Sequence, residues 1–134
     1  MQATEMFKSH PRQPQVDIAV RAKCVDDCFA CAQACTTCAD ACLGEADVGD
    51  LVRCICLNED CRVSCLATGE MLSRVTEADW SVLRAQVRAC LTACQVCGAE
   101  CEKHAGHMEH CRVCAEACRA CEQACQALLD AIPA

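Results

Sequence analysis

The apolar and polar positions of this chain follow the period of an α-helix, most regularly between Cys24 and Cys42. Apolar positions there recur at alternating intervals of four and three residues, and each is a cysteine: Cys24, Cys28, Cys31, Cys35, Cys38 and Cys42. This spacing places all six thiols on one stripe of a helix, roughly 27 Å long at 1.5 Å per residue. The pattern predicts a helix whose core-facing side is sulfur, where Leu or Ile is usual.

Two long helices are predicted in the first half of the chain. The first covers about residues 16–43 and stops at Gly44, a residue typical of helix C-termini. The second covers about residues 47–73, with Asp47 as a candidate N-cap. Its inward positions are Leu51, Cys54, Asn58, Cys61, Cys65, Thr68 and Leu72. Cys56 lies about 140° from this line and is predicted to lie outside the core.

Two more helices are predicted in the second half. Thr76 and Asp79 have the form of a capping box that opens the third helix, and Gly106 marks the turn into the fourth. The inward positions of the third helix are Leu83, Val87, Cys90, Cys94, Cys97, Cys101 and His104. Those of the fourth are Cys111, Cys114, Cys118, Cys121, Cys125, Leu128, Leu129 and Ile132.

Four helices of similar length joined by short links predict an all-α, antiparallel up-down-up-down four-helix bundle with a Cys-lined core. We expect residues 16–134 to form this bundle. Residues 1–15, which contain Pro11 and Pro14, are expected to form an N-terminal arm with a short helix at most. Aromatic residues make up only 2% of the chain, which argues against a β-sheet.

This topology gives the two ends of the bundle different chemistry. One end is predicted to be a dry aliphatic plug made of Val20, Leu72, Leu83, Val87, Leu128, Leu129 and Ile132. The other end gathers Cys42, Leu51, His104, His107, Met108, His110 and Cys111. Because His and Met bind borderline and soft metal ions, we interpret this second end as an entrance. His104 is the first candidate ligand there, and His107, Met108 and His110 are further candidates.

Cysteine accounts for 19 of the 134 residues, which changes what such a core can do. Packing alone does not explain the number, since Ala, Val or Leu would pack without the risk of oxidation. Disulfides do not fit either. Thiols at i and i+4 have Cβ atoms about 5–6 Å apart, whereas a disulfide needs about 3.8 Å, and the total is odd.

The remaining composition excludes several classes of function. A net charge of −7 argues against a nucleic-acid surface, and no segment has the apolar length of a membrane span. With no signal-peptide pattern, the expected compartment is the cytoplasm, where thiols stay reduced. No nucleophile and base stand together, so we do not expect an enzyme. The carboxylates, among them Glu45, Glu100 and Glu102, are predicted to lie on solvated faces.

Thiolates in this number predict metal binding, and charge favours Cu(I). Four thiolates around each Zn(II) leave a charge of about −2 per site, which a dry core tolerates poorly. Cu(I) accepts two or three thiolates, and bridging keeps the core near neutral. Fe–S clusters need cysteines that converge from loops, which a helical ladder does not supply. A Zn or Cd thiolate buffer of metallothionein type is the alternative.

The predicted metal ligands are the inward thiols and one histidine. They are Cys24, Cys28, Cys31, Cys35, Cys38, Cys42, Cys54, Cys61, Cys65, Cys90, Cys94, Cys97, Cys101, His104, Cys111, Cys114, Cys118, Cys121 and Cys125. Two roles stay open for Asn58. Its amide is either an ordinary buried polar group satisfied by water or a cap, or a support for a metal site.

Over residues 16–133 the chain resembles the bacterial copper storage proteins, in particular the cytosolic type. The resemblance rests on the four cysteine ladders and the His/Met link: Cys24 to Cys42, Cys54 to Cys65, Cys90 to Cys101, Cys111 to Cys125, and His104 to His110. It implies a homotetramer of bundles that stores many Cu(I) ions, with the His-containing end as the route in. A copper chaperone or a small thiol is the expected donor. Cys56 departs from the inward pattern and is not among the predicted ligands.

Overall fold

The computed structural model describes residues 2–133, so Met1 and Ala134, at the outer ends of the predicted arm and bundle, lie outside the described residues. The described part is all-α, as predicted. Its helices are α1 (Gln2–Ser9), α2 (Ile18–Leu43), α3 (Val52–Leu72), α4 (Trp80–His104) and α5 (Glu109–Ala131), with a short 3₁₀-helix (Val48–Leu51) before α3. No helix in residues 2–133 has an apolar stretch long enough to cross a bilayer.

The four long helices, α2 to α5, form an up-and-down bundle in which each helix packs against two neighbours. The helices α2 and α5 are antiparallel, because the sulfur of Cys24 contacts that of Cys125 near one end and the sulfur of Cys38 contacts that of Cys111 near the other. The same reversal relates α3 to α4, in the sulfur pairs Cys65–Cys90, Cys61–Cys94 and Cys54–Cys101. The helices α2 and α4 lie diagonally and run parallel, in the pairs Cys28–Cys90 and Cys35–Cys97.

The end opposite the histidines is aliphatic but not purely so. Leu72, Leu83, Val87, Leu128 and Ile132 are buried there, as predicted, whereas Val20 and Leu129 are only partly buried. Arg21, next to Val20, is 1% exposed. The alternation of four and three residues explains this difference, because the step before Cys24 is a step of three and falls on position 21. The prediction of a dry aliphatic plug was therefore wrong in that Val20 and Leu129 are only partly buried and the inward position of α2 is held by Arg21.

Arg21 ties three parts of the chain together at this end. Its Nε donates to the carbonyl of Leu72 at 2.9 Å, and its Nη2 donates to the carbonyl of Arg74 at 3.0 Å. These carbonyls lie at the C-terminal end of α3, where free acceptors and the helix dipole favour a cation. The guanidinium carbon lies 5.6 Å from the ring centroid of Phe7 in α1 and 5.2 Å from that of Trp80 in α4. Arg21 therefore links the arm helix to the bundle.

Two helix starts differ from their predictions. The N-cap of α4 is Asp79, whose Oδ1 accepts from the backbone N–H of Ser81 at 2.9 Å, whereas Thr76 lies three residues earlier in a turn. A capping box led by Thr76 was therefore wrong, because Asp79 itself satisfies the free donors of the first turn. Asp47 precedes the 3₁₀-helix without a side-chain capping hydrogen bond, and α3 begins only at Val52, after the fully buried Leu51.

The cap at Asp79 gives a direct test by mutation. We expect Asp79→Ala to lower the free energy of unfolding of the reduced apo-protein, because the first-turn amides of α4 lose their side-chain acceptor. The matched variant Thr76→Ala should change it by less than about 0.5 kcal/mol, as at an ordinary surface position. Urea denaturation followed by circular dichroism measures both. If Thr76→Ala lowered the free energy of unfolding more than Asp79→Ala does, Thr76 would be the N-cap after all and the assignment to Asp79 would be wrong.

Candidate metal site

The inner face of the bundle is lined with thiols, as the sequence predicted. Every cysteine except Cys56 is at most 1% exposed, and all the cysteines are free rather than disulfide-bonded. Cys56 lies on the exposed face of α3, also as predicted. Each of the four long helices contributes to the buried set, so the sulfurs form a column along the bundle axis.

Within this column the sulfurs converge in sets of four whose Sγ atoms all lie within 4.8 Å of one another. Five of these sets, in order from the aliphatic end, are Cys28/Cys90/Cys121/Cys125, Cys31/Cys65/Cys94/Cys121, Cys31/Cys35/Cys61/Cys118, Cys35/Cys97/Cys114/Cys118 and Cys38/Cys42/Cys54/Cys111. Neighbouring sets overlap, because Cys121, Cys31, Cys35 and Cys118 each belong to two of them. The first four sets are therefore one continuous run of sulfur.

The spacing of the sulfurs suits metal ions of more than one coordination number. Close pairs such as Cys28 and Cys121 lie 3.7 Å apart, and the sets extend to 4.8 Å. With metal–sulfur distances of about 2.3 Å, separations near 3.8 Å fit three or four sulfurs around an ion, and about 4.6 Å fits two opposite sulfurs. The column can hold ions of two, three or four ligands, so geometry alone does not select the metal.

The charge balance of the core distinguishes between candidate metal ions better than the sulfur geometry does. Among the residues that the structure describes, the buried polar side chains are Arg21, Asn58, Thr68 and Glu100. Of these, Arg21 carries the only positive charge, and it lies at the aliphatic end with its donors on backbone carbonyls. Because uncompensated buried charge is unfavourable, bound ions have to balance the thiolates. Monovalent ions at close to one per thiolate achieve this balance.

Burial and neighbouring thiols shift the sulfur pKa values in opposite directions. At the histidine end, burial raises the pKa of Cys42 to about 11 and also raises the pKa of Cys111. Deeper in the column, hydrogen bonding with Cys125 lowers the pKa of Cys24 to about 6. Hydrogen bonding with Cys118 likewise lowers the pKa of Cys31 to about 6. Some sulfurs can therefore be thiolates while their neighbours keep protons to donate.

The raised pKa of Cys42 predicts how the reduced apo-protein responds to alkali. Unfolded thiols ionise near their ordinary pKa of 9.0, whereas folded Cys42 keeps its proton until about pH 11. Its contribution to stability is therefore fully present below pH 9 and is lost as the pH rises towards 11. The free energy of unfolding can be measured with denaturant at several pH values across this range. It should fall less steeply with pH for Cys42→Ala than for the wild type. Equal declines for the two proteins would contradict this assignment.

Asn58 of α3 lies among the sulfurs and is fully buried. Its Oδ1 lies 3.1 Å from the Sγ of Cys97, 3.3 Å from that of Cys114 and 3.7 Å from that of Cys101. Its Nδ2 donates to the Sγ of Cys54 at 3.7 Å. These contacts satisfy the amide within the sulfur column, and both roles that the sequence leaves open for Asn58 stay predictions. The amide also bridges the continuous run to the set that contains Cys54.

His110 is the histidine whose ring faces the column. Its Nδ1 lies 3.4 Å from the Sγ of Cys38 and 3.6 Å from that of Cys111. His104, preferred from the sequence, turns its Nε2 instead to Glu100 Oε2 at 3.0 Å, and its ring centroid lies 6.1 Å from that of the exposed His107. Met108 is 5% exposed and precedes α5. Two of the four candidates at this end, His110 and Met108, are therefore turned inwards or buried.

Glu100 corrects the prediction that the carboxylates lie on solvated faces. It is 7% exposed, and its carboxylate pairs with Lys103 at 3.3 Å, with His104 at 3.0 Å and with Arg53 of α3 at 3.5 Å. Burial alone would raise the pKa of Glu100, but hydrogen bonds from His104 and Lys103 outweigh burial and lower it. Glu102, by contrast, is exposed as predicted. The Glu100 cluster joins α3 to α4 at the rim of the histidine end.

Comparisons with known proteins agree with this arrangement. A structure of the copper storage protein Ccsp from Streptomyces lividans, loaded with 10 copper equivalents, matches with a TM-score of 0.95 and 51% identity over 97% of this chain and 99% of that chain. A structure of the cytosolic copper storage protein from the same organism with five coppers matches with a TM-score of 0.84 and 56% identity, over 86% and 96% of the two chains.

A histidine-to-alanine mutant of S. lividans Ccsp matches with a TM-score of 0.86 and 57% identity, over 87% of this chain and 97% of that chain. The comparison with curated protein sequences returns no match. The profile described as copper storage protein matches residues 18–130, which span all four helices of the bundle. The chain therefore belongs to the copper storage protein family.

Proposed function

We propose that this protein stores copper in the cytosol, holding many Cu(I) ions per chain on cysteine thiolates inside the bundle. The observation that carries the proposal is the continuous run of overlapping four-sulfur sets along the axis. The matched Ccsp structures, one with five coppers and one loaded with 10 copper equivalents, support it, because their chains are more than half identical to this one. Protection against excess copper follows from the same capacity.

The ligands in this proposal are the buried cysteines from Cys24 to Cys125, without the exposed Cys56. The contacts of Asn58 and His110 with sulfur support their inclusion as further oxygen and nitrogen ligands. His104, His107 and Met108 would line the entrance. The bundle, residues 16–134, would hold the metal, and the arm, residues 1–15, would cover the aliphatic end through Phe7 and Arg21.

Storage fits the site better than catalysis or transfer. A copper chaperone needs one exposed site, whereas these thiols are buried in a column. An enzyme needs an open coordination position for substrate, and thiolates that saturate each ion leave none. We therefore propose a role without catalysis. By family resemblance, four chains would assemble into a homotetramer, with a copper chaperone or a small thiol as the donor.

The direct test is a titration of reduced apo-protein with Cu(I) in the presence of a coloured Cu(I) chelator. We expect binding to continue to roughly 15–20 ions per chain, on the order of one per buried thiolate. Competing Zn(II) should not displace the bound Cu(I), which distinguishes storage of copper from a Zn or Cd buffer. A plateau at about one to four ions, or ready displacement by Zn(II), would end the proposal.

A further inference from the structure

The two ring nitrogens of His110 have different surroundings. Nδ1 faces the sulfurs of Cys38 and Cys111, as described above. Nε2 is buried and has no hydrogen-bond partner among the described residues. The carboxylate of Glu45 lies beyond it, with Oε2 3.7 Å from Nε2. A buried ring nitrogen is thus aimed at a carboxylate that lies slightly too far away for a hydrogen bond.

This arrangement bears on which nitrogen carries the proton. A neutral imidazole has one N–H and one lone pair, and a metal ion takes the nitrogen with the lone pair. The lone pair must lie on Nδ1 for His110 to bind an ion among the sulfurs, so the proton must lie on Nε2. A carboxylate is the usual partner of the outer N–H of a metal-binding histidine, where it fixes both the tautomer and the ring orientation.

We propose that Glu45 is a positioning residue for copper loading: it accepts the Nε2–H of His110 and so holds the Nδ1 lone pair towards Cys38 and Cys111. This inference rests on the proposed function of the sulfur column. Glu45 acts through His110 and does not touch the sulfurs itself. When an ion binds, Cu(I) replaces the thiol proton of Cys38, that proton leaves to water, and copper remains Cu(I). The Nε2–H proton stays on the ring throughout.

The position of Glu45 suits this role. It lies just after Gly44, the C-cap of α2, and its backbone N–H donates to the carbonyl of Cys42 at 3.2 Å. Its carboxylate is about one third exposed, so the side chain can change rotamer without disturbing the core. Closing the gap from 3.7 Å to a normal hydrogen bond requires a shift of less than about 1 Å. Hydrogen bonds of this kind commonly tighten only when the ligand binds.

His104 provides an internal comparison. Its Nε2 already lies 3.0 Å from Glu100, whose other oxygen is engaged by Lys103 and Arg53. Among the described residues, His104 makes no hydrogen bond with a sulfur that would match the one between His110 and Cys38. The carboxylate of Glu100 is therefore part of a cluster of ion pairs. Glu45, by contrast, lies near the outer nitrogen of the His110 ring, whose other nitrogen faces the thiols. The assignment is therefore specific to Glu45 and His110.

The test uses the full reduced chain and three variants: Glu45→Ala, Glu45→Gln and, as a control on the same link, Asp47→Ala. The first readout is the tautomer of His110 in the apo-protein, measured by long-range ¹H–¹⁵N correlation NMR. The second is the rate of loading from a Cu(I)–chelator complex in a stopped-flow experiment. The third is the final copper capacity. Circular dichroism confirms that each variant keeps the helices.

We expect the wild type to hold His110 with its proton on Nε2 and Glu45→Ala to show a mixture of tautomers. Loading of Glu45→Ala should be slower by about tenfold or more, the usual effect of losing a partner behind a metal ligand. Glu45→Gln keeps a carbonyl acceptor and should retain the wild-type tautomer with loading within about threefold of the wild type. Asp47→Ala should match the wild type, and all four proteins should reach the same capacity.

An unchanged tautomer and an unchanged loading rate in Glu45→Ala would overturn the inference, whatever the capacity. Slow loading in Glu45→Gln equal to that in Glu45→Ala would also overturn it, because a negative charge rather than a hydrogen-bond acceptor would then matter. A wild-type capacity of only a few ions would instead contradict the proposed function. The two failures are therefore distinguishable in one set of measurements.

Discussion

The double variant Cys35→Ala/Cys118→Ala is expected to lose about four Cu(I) ions per chain, although it removes only two thiols. Both cysteines belong to the same two overlapping sets, and these sets lie in the middle of the column. After substitution each set keeps two sulfurs of its four, which leaves too few thiolates for bridged ions. Titration with Cu(I) against a chelator measures the loss. The apo-variant should remain helical, since each substitution removes a single heavy atom.

The matched control removes two thiols from only one of the five sets. Cys97→Ala/Cys114→Ala acts on the fourth set, and its two cysteines are as deeply buried as Cys35 and Cys118. We expect it to lose about two ions, and Cys56→Ala to lose none, because that thiol is exposed. Equal losses for the two double variants would show that the thiols act independently, and would contradict a column of shared sulfurs.

Replacing Arg21 is expected to have the largest effect on the stability of the apo-protein. Arg21→Ala removes the hydrogen bonds to the buried carbonyl of Leu72 and the part-buried carbonyl of Arg74, together with the stacking on Phe7 and Trp80. Leaving buried acceptors unsatisfied costs about 1–3 kcal/mol, and each cation–π contact contributes about 0.5–2 kcal/mol more. We expect a loss of about 3 kcal/mol or more in the free energy of unfolding, measured by urea denaturation.

The same substitution should release the arm. Because Arg21 links Phe7 of α1 to the bundle, limited proteolysis should cleave the arm of Arg21→Ala faster than that of the wild type. Arg88→Ala is the control, since Arg88 is exposed on α4 and should change stability by less than about 0.5 kcal/mol. A loss below about 1 kcal/mol for Arg21→Ala would mean that the guanidinium does not hold this end together.

Much of the fold follows from the spacing of cysteines because that spacing has a single physical meaning on a helix. The alternation of four and three residues predicted every buried thiol of α2, and the same period excluded Cys56 from the core. It also contained a signal that was missed. Carried one step back from Cys24, the alternation reaches Arg21 rather than Val20, and an arginine on an apolar stripe indicates a buried, hydrogen-bonded guanidinium.

The histidine end was harder to predict because it depends on side-chain direction rather than on spacing. His104 lies three residues after Cys101 on the inward line, yet its ring turns back to Glu100, one turn earlier on the same helix. His110 reaches the sulfurs from the first turn of α5. The direction of each ring depends on the link between α4 and α5 and on the carboxylates of Glu45 and Glu100. The spacing of residues along one helix does not contain this information.

The start of α4 shows a different obstacle, which is competition between neighbouring caps. Thr76 and Asp79 are both good N-cap residues, and a sequence pattern allows either to begin the helix. Asp79 begins it because its carboxylate reaches the free amides of Ser81 and Val82. The sequence pattern therefore placed the start of the helix at Thr76, three residues too early, whereas the buried face of the helix was predicted correctly.

A crystal of the Cu(I)-loaded protein, measured with X-rays at the copper absorption edge, tests the central claim most directly. We expect many anomalous peaks along the bundle axis, between the sulfurs of the overlapping sets and reaching the ring of His110 at the histidine end. Peaks confined to the outer surface, or an axis in which the thiols have joined to one another as disulfides, would contradict the account.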